Sequence, residues 1–365
     1  MSKSRVCTGV IFVGPGRHSQ GGISAVIENY GKTSFWREFD CSHFASTADY
    51  RSKLVKFVYG TWRICLFAYS ILFSRRPWAI SIHTSHKGSF YRKLVYLIIS
   101  RLCQVPAVLH IHPDAFAVFY EQGNRWRRSA IRLAGRLSNQ IIFLSYETLS
   151  DFTGVFPSTK LGVLCNPVDI DSYALERKSE GPQRPRVLFL GAIAREKGVY
   201  DLVDAIPAVV QEFPDVLFTF AGNKEVRKLS DLISSRGMRG SAEVIGWIEG
   251  QAKIDILRSS TILVLPSYTE GVPNVILEAM ASKLPIVTTP VGGIPSVLTH
   301  DQTAIFVDAG DVQCIADGLI TLLGDEKKCM SLARAAFVRA SELYSTEVIG
   351  EGLTQIYAQY RPGYV

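Results

Sequence analysis

Two carboxylates, Glu270 and Glu278, stand eight residues apart in the run Pro266-Ser-Tyr-Thr-Glu270-Gly-Val-Pro273-Asn274-Val-Ile-Leu-Glu278-Ala-Met-Ala. Gly271, Pro273 and Asn274 are turn chemistry, and a helix is expected to follow over Val275–Ser282. Pro273 fits a first helical position, where a missing N–H costs nothing. A helix start approached through glycine is an anion site, because its unpaired N–H groups and partial positive charge suit a diphosphate. Glu278, about one turn inside, is placed to accept hydrogen bonds from ribose hydroxyls, as acidic residues do in dinucleotide folds. Glu270, in the loop, would face the same crevice. Taken singly, each carboxylate reads equally well as a helix cap or a solvated charge.

The elements around this run must hold it at the edge of a sheet. Ile262 to Leu265 is a short apolar stretch suited to a buried parallel strand, and Pro285-Ile-Val-Thr-Thr reads as the next strand. Upstream, the strand-like Arg186-Val-Leu-Phe-Leu runs into Gly191-Ala192-Ile-Ala-Arg195-Glu-Lys197-Gly198, a loop that carries two cations. Near the start, a strand over Val6–Val13 runs into Gly14-Pro-Gly16 and Gly21-Gly22, where glycines permit a tight turn before a helix. That spacing is not the strict dinucleotide fingerprint. A further strand, Val105 to Ile111, delivers His110 and His112 to one side, with His83 and His86 at the end of the strand before it. No third ligand accompanies the histidines, so a zinc site is not assigned.

The run Pro266–Pro295, with its Pro-Ser, Glu-Gly-x-Pro-Asn, Glu-Ala-Met-Ala and Thr-Pro-Val-Gly-Gly-Ile-Pro, resembles the E-x7-E motif of the retaining glycosyltransferase family 4. Lys197-Gly198 resembles the family's Gly-Arg-x-x-x-x-Lys-Gly loop, but Ala192 stands where the family has arginine. Arg195, three residues on, is the candidate to supply that charge. The resemblance implies an α/β protein of GT-B fold, two doubly wound Rossmann-like domains facing a central cleft. It implies a nucleotide-diphosphate sugar as donor, with retention at the anomeric carbon, no cofactor and no metal requirement. Lys197 and Arg195 would balance the leaving diphosphate, together with the helix start at Gly271, Val272, Pro273 and Asn274. Glu270 would contact the donor sugar and Glu278 the ribose. Gly16, with Gly21 and Gly22, would line donor and acceptor, and His112, at its strand's end, would orient the sugar. The catalytic set so implied is His112, Lys197 and Glu270.

Domain boundaries follow from composition and from the same resemblance: an acceptor-binding domain over 1–170, a polar linker over 171–185, a nucleotide-sugar domain over 186–343, and a terminal segment, 344–365, returning to the first domain. At 365 residues the chain suffices for two domains. Its seven cysteines are scattered and form no Cys-x-x-Cys pair, which points to free thiols in a reducing compartment. The start reads as a strand rather than a secretion signal.

Charge is divided unevenly. Residues 1–170 hold 21 Lys and Arg against 9 Asp and Glu; the remainder hold 19 against 24. A basic first half points to an anionic partner. The basic stretch Arg125-Trp-Arg-Arg128 comes with no nucleic-acid module, so the reading is an anionic membrane surface and a lipid-linked or oligosaccharide acceptor, with no nucleic acid. Residues 54–73 are mostly apolar but contain Lys56 and Arg63, so a partly buried or interfacial amphipathic helix is expected rather than a span. In the helical stretch Ser89–Leu102, Phe90, Leu94, Leu97, Ile98 and Leu102 are expected to face the core, and Arg92 and Lys93 solvent or headgroups. The protein is thus expected in the cytoplasm, peripheral at the inner face of the cell membrane, in polysaccharide assembly. A nucleotide-sugar hydrolase or epimerase and a non-catalytic scaffold of the same fold are the alternatives.

Overall fold

A computed structural model describes residues 9–16, 19–48, 52–74, 76–112, 116–174 and 184–363. The chain divides into two compact units, Met1–Pro167 with Thr346–Val365, and Val168–Ser345. Each is a six-stranded parallel sheet.

The first unit contains β1 (Val10–Pro15), β2 (Ser42–Thr47), β3 (Ala79–Thr84), β4 (Ala107–Ile111), β5 (Gln140–Phe143) and β6 (Leu161–Val163). Their spatial order is β2-β1-β3-β4-β5-β6. The first four residues of β1 show why both faces are covered: alternation sends Ile11 and Val13 into one apolar cluster, with Ile82, Leu97 and Phe67, and Val10 and Phe12 into the other, with Tyr30 and Phe35. The helix Thr346–Tyr357 closes the second cluster with Ile349, Leu353 and Tyr357. Residues 6–8 of the expected first strand lie outside the described residues.

The second unit contains β7 (Arg186–Leu190), β8 (Leu217–Ala221), β9 (Ala242–Gly246), β10 (Ile262–Leu265), β11 (Ile286–Thr288) and β12 (Ile305–Phe306). The order is β12-β11-β10-β7-β8-β9, the doubly wound arrangement with its switch between β7 and β10. The four residues of β10 are all buried, as a central parallel strand requires. Of the expected linker, residues 175–183 lie outside the described residues. Its ends are structured: Asp171 to Tyr173 fall in a short helix, Ile170–Tyr173, capped by Asp169, which accepts from Ser172 N at 3.2 Å. Arg184 ties down the other end through Asp215 O and Gly240 O.

One helix of the first unit differs from the expectation. The helix Gly88–Leu102 buries Phe90, Lys93, Leu97 and Ser100, a stripe spaced three and four residues apart. Extending that stripe from Phe90 through position 93 brings Lys93 inside and turns Ile98 and Leu102 outward. The helix Lys53–Tyr69 packs Phe67 and Ile64 on the body of the unit, with Arg63 beside them. Arg63 Nε donates to Ala45 O at 2.6 Å, and its guanidinium lies 4.0 Å above the Phe44 ring. Among the described residues no helix is long and apolar enough to cross a membrane.

Candidate functional site

In open parallel sheets, ligands sit beyond the carboxyl ends of the strands, at the point where the strand order reverses. In the second unit that point is flanked by the loops leaving β7 and β10, which carry Lys197 and Glu270. Lys197 Nζ lies 2.8 Å from Glu270 Oε1, with both side chains largely covered. Ser267 Oγ donates to the same oxygen at 2.8 Å, and Lys197 reaches Thr269 O at 3.4 Å. The carboxylate is therefore oriented by a cation and a hydroxyl.

Glycine makes this closeness possible. Gly198 is left-handed at φ 67° where the turn Arg195–Lys197 ends. A Cβ there would stand 1.9 Å from Pro266 O. Gly292, after β11, has φ 57°, and its Cβ would stand 1.8 Å from Glu270 O. Three loops thus interlock through backbone contact, joined also by Tyr268 N to Glu196 O at 3.0 Å and Gly293 N to Gly271 O at 2.9 Å.

The helix that follows spans Asn274–Ala281, one residue earlier than expected. Pro273 is its N-cap, not its first turn; its ψ of 128° is extended, and the helical angles begin at Asn274. Val272 is buried beneath the loop. Glu278 is buried too, and its partner is Lys253 Nζ at 2.5 Å. Lys253 lies on the helix Gly250–Ser259 and was not legible as a site residue, since nothing in its local sequence marks it. Arg195 occupies the same turn as Lys197, but its side chain is exposed and does not join the buried pair. The structure therefore brings together Lys197, Glu270 and residues 271–274, with Glu278 one turn on.

The first unit has its switch between β1 and β3. Gly16 follows β1 and is held by its N–H to Thr47 O at 2.8 Å, while its carbonyl accepts from Ser24 Oγ at 3.2 Å. Gly21 is the N-cap of the helix Gly22–Tyr30. The neighbouring strands bring three histidines together. His83 and His110 are in register on β3 and β4, with ring centroids 4.6 Å apart. His112, just past β4, meets His83 through Nε2 to Nδ1 at 3.0 Å, and His83 Nε2 meets Ser81 Oγ at 3.0 Å. His83, placed by the sequence only at the end of the preceding strand, is the hub of this cluster.

All three rings are buried. Burial holds His112 at about 4, against an ordinary 6.5. Burial and then the neighbouring His112 hold His110 at about 3. His83 is also held well below the usual range, by burial first and then by His110, His112, Lys93 and His43. The cluster is therefore neutral at pH 7, and each ring nitrogen in the His83–His112 contact takes one role, donor or acceptor.

Two parallel-sheet α/β units of six strands, the second carrying a cation and carboxylates at its switch point, define the GT-B architecture. Solved structures agree on the fold. A sucrose-phosphate synthase from Thermosynechococcus elongatus superposes with a TM-score of 0.80 at 16% identity, covering 96% of this chain and 98% of that one. HepE from Anabaena, solved with UDP-glucose, superposes at 0.76 and 18% identity, covering 96% and 99%. Residues 173–339 match the family model of Glycosyl transferases group 1. The alpha-D-kanosaminyltransferase of Streptomyces kanamyceticus is 26% identical over 303 residues, 78% of each chain. The protein is a glycosyltransferase of GT-B fold, and the stretch that matches the group 1 model lies in its second unit.

Proposed function

We propose that the protein is a retaining enzyme of glycosyltransferase family 4. It moves a sugar from a nucleoside-diphosphate donor to a hydroxyl of a lipid-linked saccharide, in polysaccharide biosynthesis at the inner face of the cell membrane. The observation that supports this reading best is the Lys197–Glu270 pair, set 2.8 Å apart where the loops after β7 and β10 interlock. In the reaction, the bond from the anomeric carbon to the diphosphate breaks. A bond to the acceptor oxygen forms on the same face, and the hydroxyl proton leaves with the diphosphate. Lys197 and the helix start at Asn274 stabilise the charge that develops on that leaving group. Glu270 holds donor-sugar hydroxyls and Glu278 the ribose. His112, neutral, orients the sugar without taking the proton. No metal enters this scheme, so chelation leaves the rate unchanged.

Support for a nucleotide sugar comes from HepE, which was solved with UDP-glucose. The test is a donor screen by thermal shift, begun with UDP-sugars and extended to other bases. A true donor at a hundredfold excess over its Kd stabilises by about 2.7 kcal/mol. A hit is then supplied with saccharide acceptors, and the anomeric configuration of the product is read by NMR. Inverted product, or donor consumption that yields only free sugar, would sink the reading.

A further inference from the structure

The helix Lys53–Tyr69 is apolar on both sides, with Phe67 and Ile64 on the core and large apolar side chains facing out. Its inward side holds Arg63, bound to Ala45 O, with Gly60 and Phe67 buried beside it. Its outward side carries Leu54, Val58, Trp62 and Tyr69, which are 71%, 58%, 54% and 58% exposed. They recur at spacings of four and seven, so they form one stripe, and it has no charge. The helix Gly88–Leu102 packs alongside and adds a second stripe, Tyr91, Val95, Ile98 and Leu102, also exposed. A helix facing water normally carries polar and charged residues on its outward side. Two adjacent exposed apolar stripes mark an interaction surface.

Charge decides what covers it. From Tyr50 to Pro113 the sequence contains no Asp or Glu. On the other flank of Gly88–Leu102 packs the helix Arg125–Leu137, again without an acid, with Arg125, Arg128, Arg132 and Arg136 exposed and Trp126 71% exposed among them. A second copy of this face would set arginines against arginines. An anionic bilayer answers both features: acyl chains for the apolar stripes and negative headgroups for the guanidinium groups.

We infer that the outward faces of Lys53–Tyr69 and Gly88–Leu102 lie in the interface of an anionic bilayer, parallel to its plane, with the arginines of Arg125–Leu137 on the headgroups. Trp62 and Tyr69 sit at the boundary between headgroups and acyl chains, where amphipathic rings settle. Arg63 stays with the protein, so insertion needs no charge to be carried into the apolar layer. This deepens the lipid-linked acceptor reading and rests on it: a membrane-facing first unit would meet such an acceptor where the acceptor is anchored.

The test is co-sedimentation of the full chain, with neither donor nor acceptor, on phosphatidylcholine vesicles with and without phosphatidylglycerol. Binding is expected only to the anionic vesicles. The variant L54Q/V58Q/W62Q should bind at least about tenfold more weakly, from the apolar area removed. Arg128→Gln and Arg132→Gln should each weaken binding about fivefold at low salt, and much less at high salt. These residues are exposed, so unfolding midpoints should match the parent. Transfer to a soluble saccharide should persist in all variants while transfer to a lipid-linked one falls. No binding to anionic vesicles, or equal binding by the triple variant, overturns the inference. So does a lipid-free dimer that buries Trp62 and is lost in the triple variant, which would assign the face to a second copy. A chain that binds the vesicles yet transfers no sugar sinks the transfer reading and leaves this surface standing.

Discussion

The loops leaving β7 and β10 in the second unit and the strand ends of β1, β3 and β4 in the first occupy equivalent places in two parallel sheets. They are filled in opposite ways. In the second unit the place holds formal charges, Lys197 against Glu270 and Lys253 against Glu278, each pair within 2.8 Å. In the first it holds three buried imidazoles kept neutral by that burial. A cationic side chain beside a largely covered carboxylate is preorganised for a substrate with formal charge. A neutral histidine cluster is suited to a substrate that presents hydroxyls. On the proposed reading the second unit takes the diphosphate and the neutral cluster of the first meets sugar hydroxyls, and the contrast can be broken at either end.

The largest effect is expected at Lys197. Lys197→Met removes the cation proposed to balance the leaving diphosphate, while Ser267 Oγ still donates to Glu270. The expected loss is about 10^2–10^3-fold in kcat, the range seen when one preorganised charge-stabilising group is removed, with donor KM changed much less. Steady-state kinetics decide. A rise in KM alone, with kcat intact, would move Lys197 from the leaving group to ground-state binding.

Acid should break the first unit before the second. His110 at about 3 and His112 at about 4 are neutral when folded at pH 5, whereas in the unfolded chain they titrate near 6.5. Below pH 6.5 the unfolded state therefore binds more protons. Stability is fully present above pH 6.5 and is lost as pH falls toward 4 for His112 and toward 3 for His110. His112 alone accounts for about 3 kcal/mol across that window. Urea unfolding at pH 7 and pH 5 should show the loss, and His112→Gln should flatten it. An identical slope in that variant would mean the burial of the ring is not felt as a charge penalty.

Next in size is Glu278. Glu278→Gln keeps the shape but removes the acceptor charge and leaves Lys253 without its carboxylate. Donor KM should rise about tenfold to a hundredfold, the loss of one or two hydrogen bonds to a charged group, with kcat nearly kept. The pairing itself supplies a control: Lys253→Met should lower stability without the same rise in KM. Equal KM effects from both would make the pair, not Glu278, the ribose contact.

What the chain order disclosed, and what it hid, follows the range of the interactions involved. The strand, turn and helix around Glu270 were readable because prolines, glycines and a four-residue apolar run fix them locally. Lys253 was not, because its role depends on the approach of a helix that starts 28 residues before Glu278 at Gly250. His83 was underrated because its partners come from β4, through a register no local pattern announces. Lys93 was misplaced outright. It is buried, donates to Ser46 Oγ, and is lowered to about 7, mainly by burial and then by Arg92. A lysine on a helix next to an arginine ordinarily reads as solvent-facing; here the stripe from Phe90 to Leu97 passes through it. The helix Lys53–Tyr69 was readable, since Lys56 and Arg63 within an apolar run point to a half-buried helix rather than a span.

Arg195 gives the smallest expected effect and the finest test of the charged half. Ala192 stands where the family motif has arginine, and Arg195 is the nearest cation that could replace it. Yet its side chain is exposed, in the same short turn that delivers Lys197 inward. An exposed charge works through high-dielectric water and is screened by salt, so its interaction with a diphosphate is worth about 1 kcal/mol or less. Arg195→Ala should therefore lower kcat/KM less than tenfold, and the loss should shrink as salt is raised. Lys197→Met should keep its full effect at high salt, because its site is largely covered. If Arg195→Ala instead matches Lys197→Met, the loop must close over the donor and bring that guanidinium inward, and the balancing charge in this chain is then shared across the turn rather than carried by Lys197.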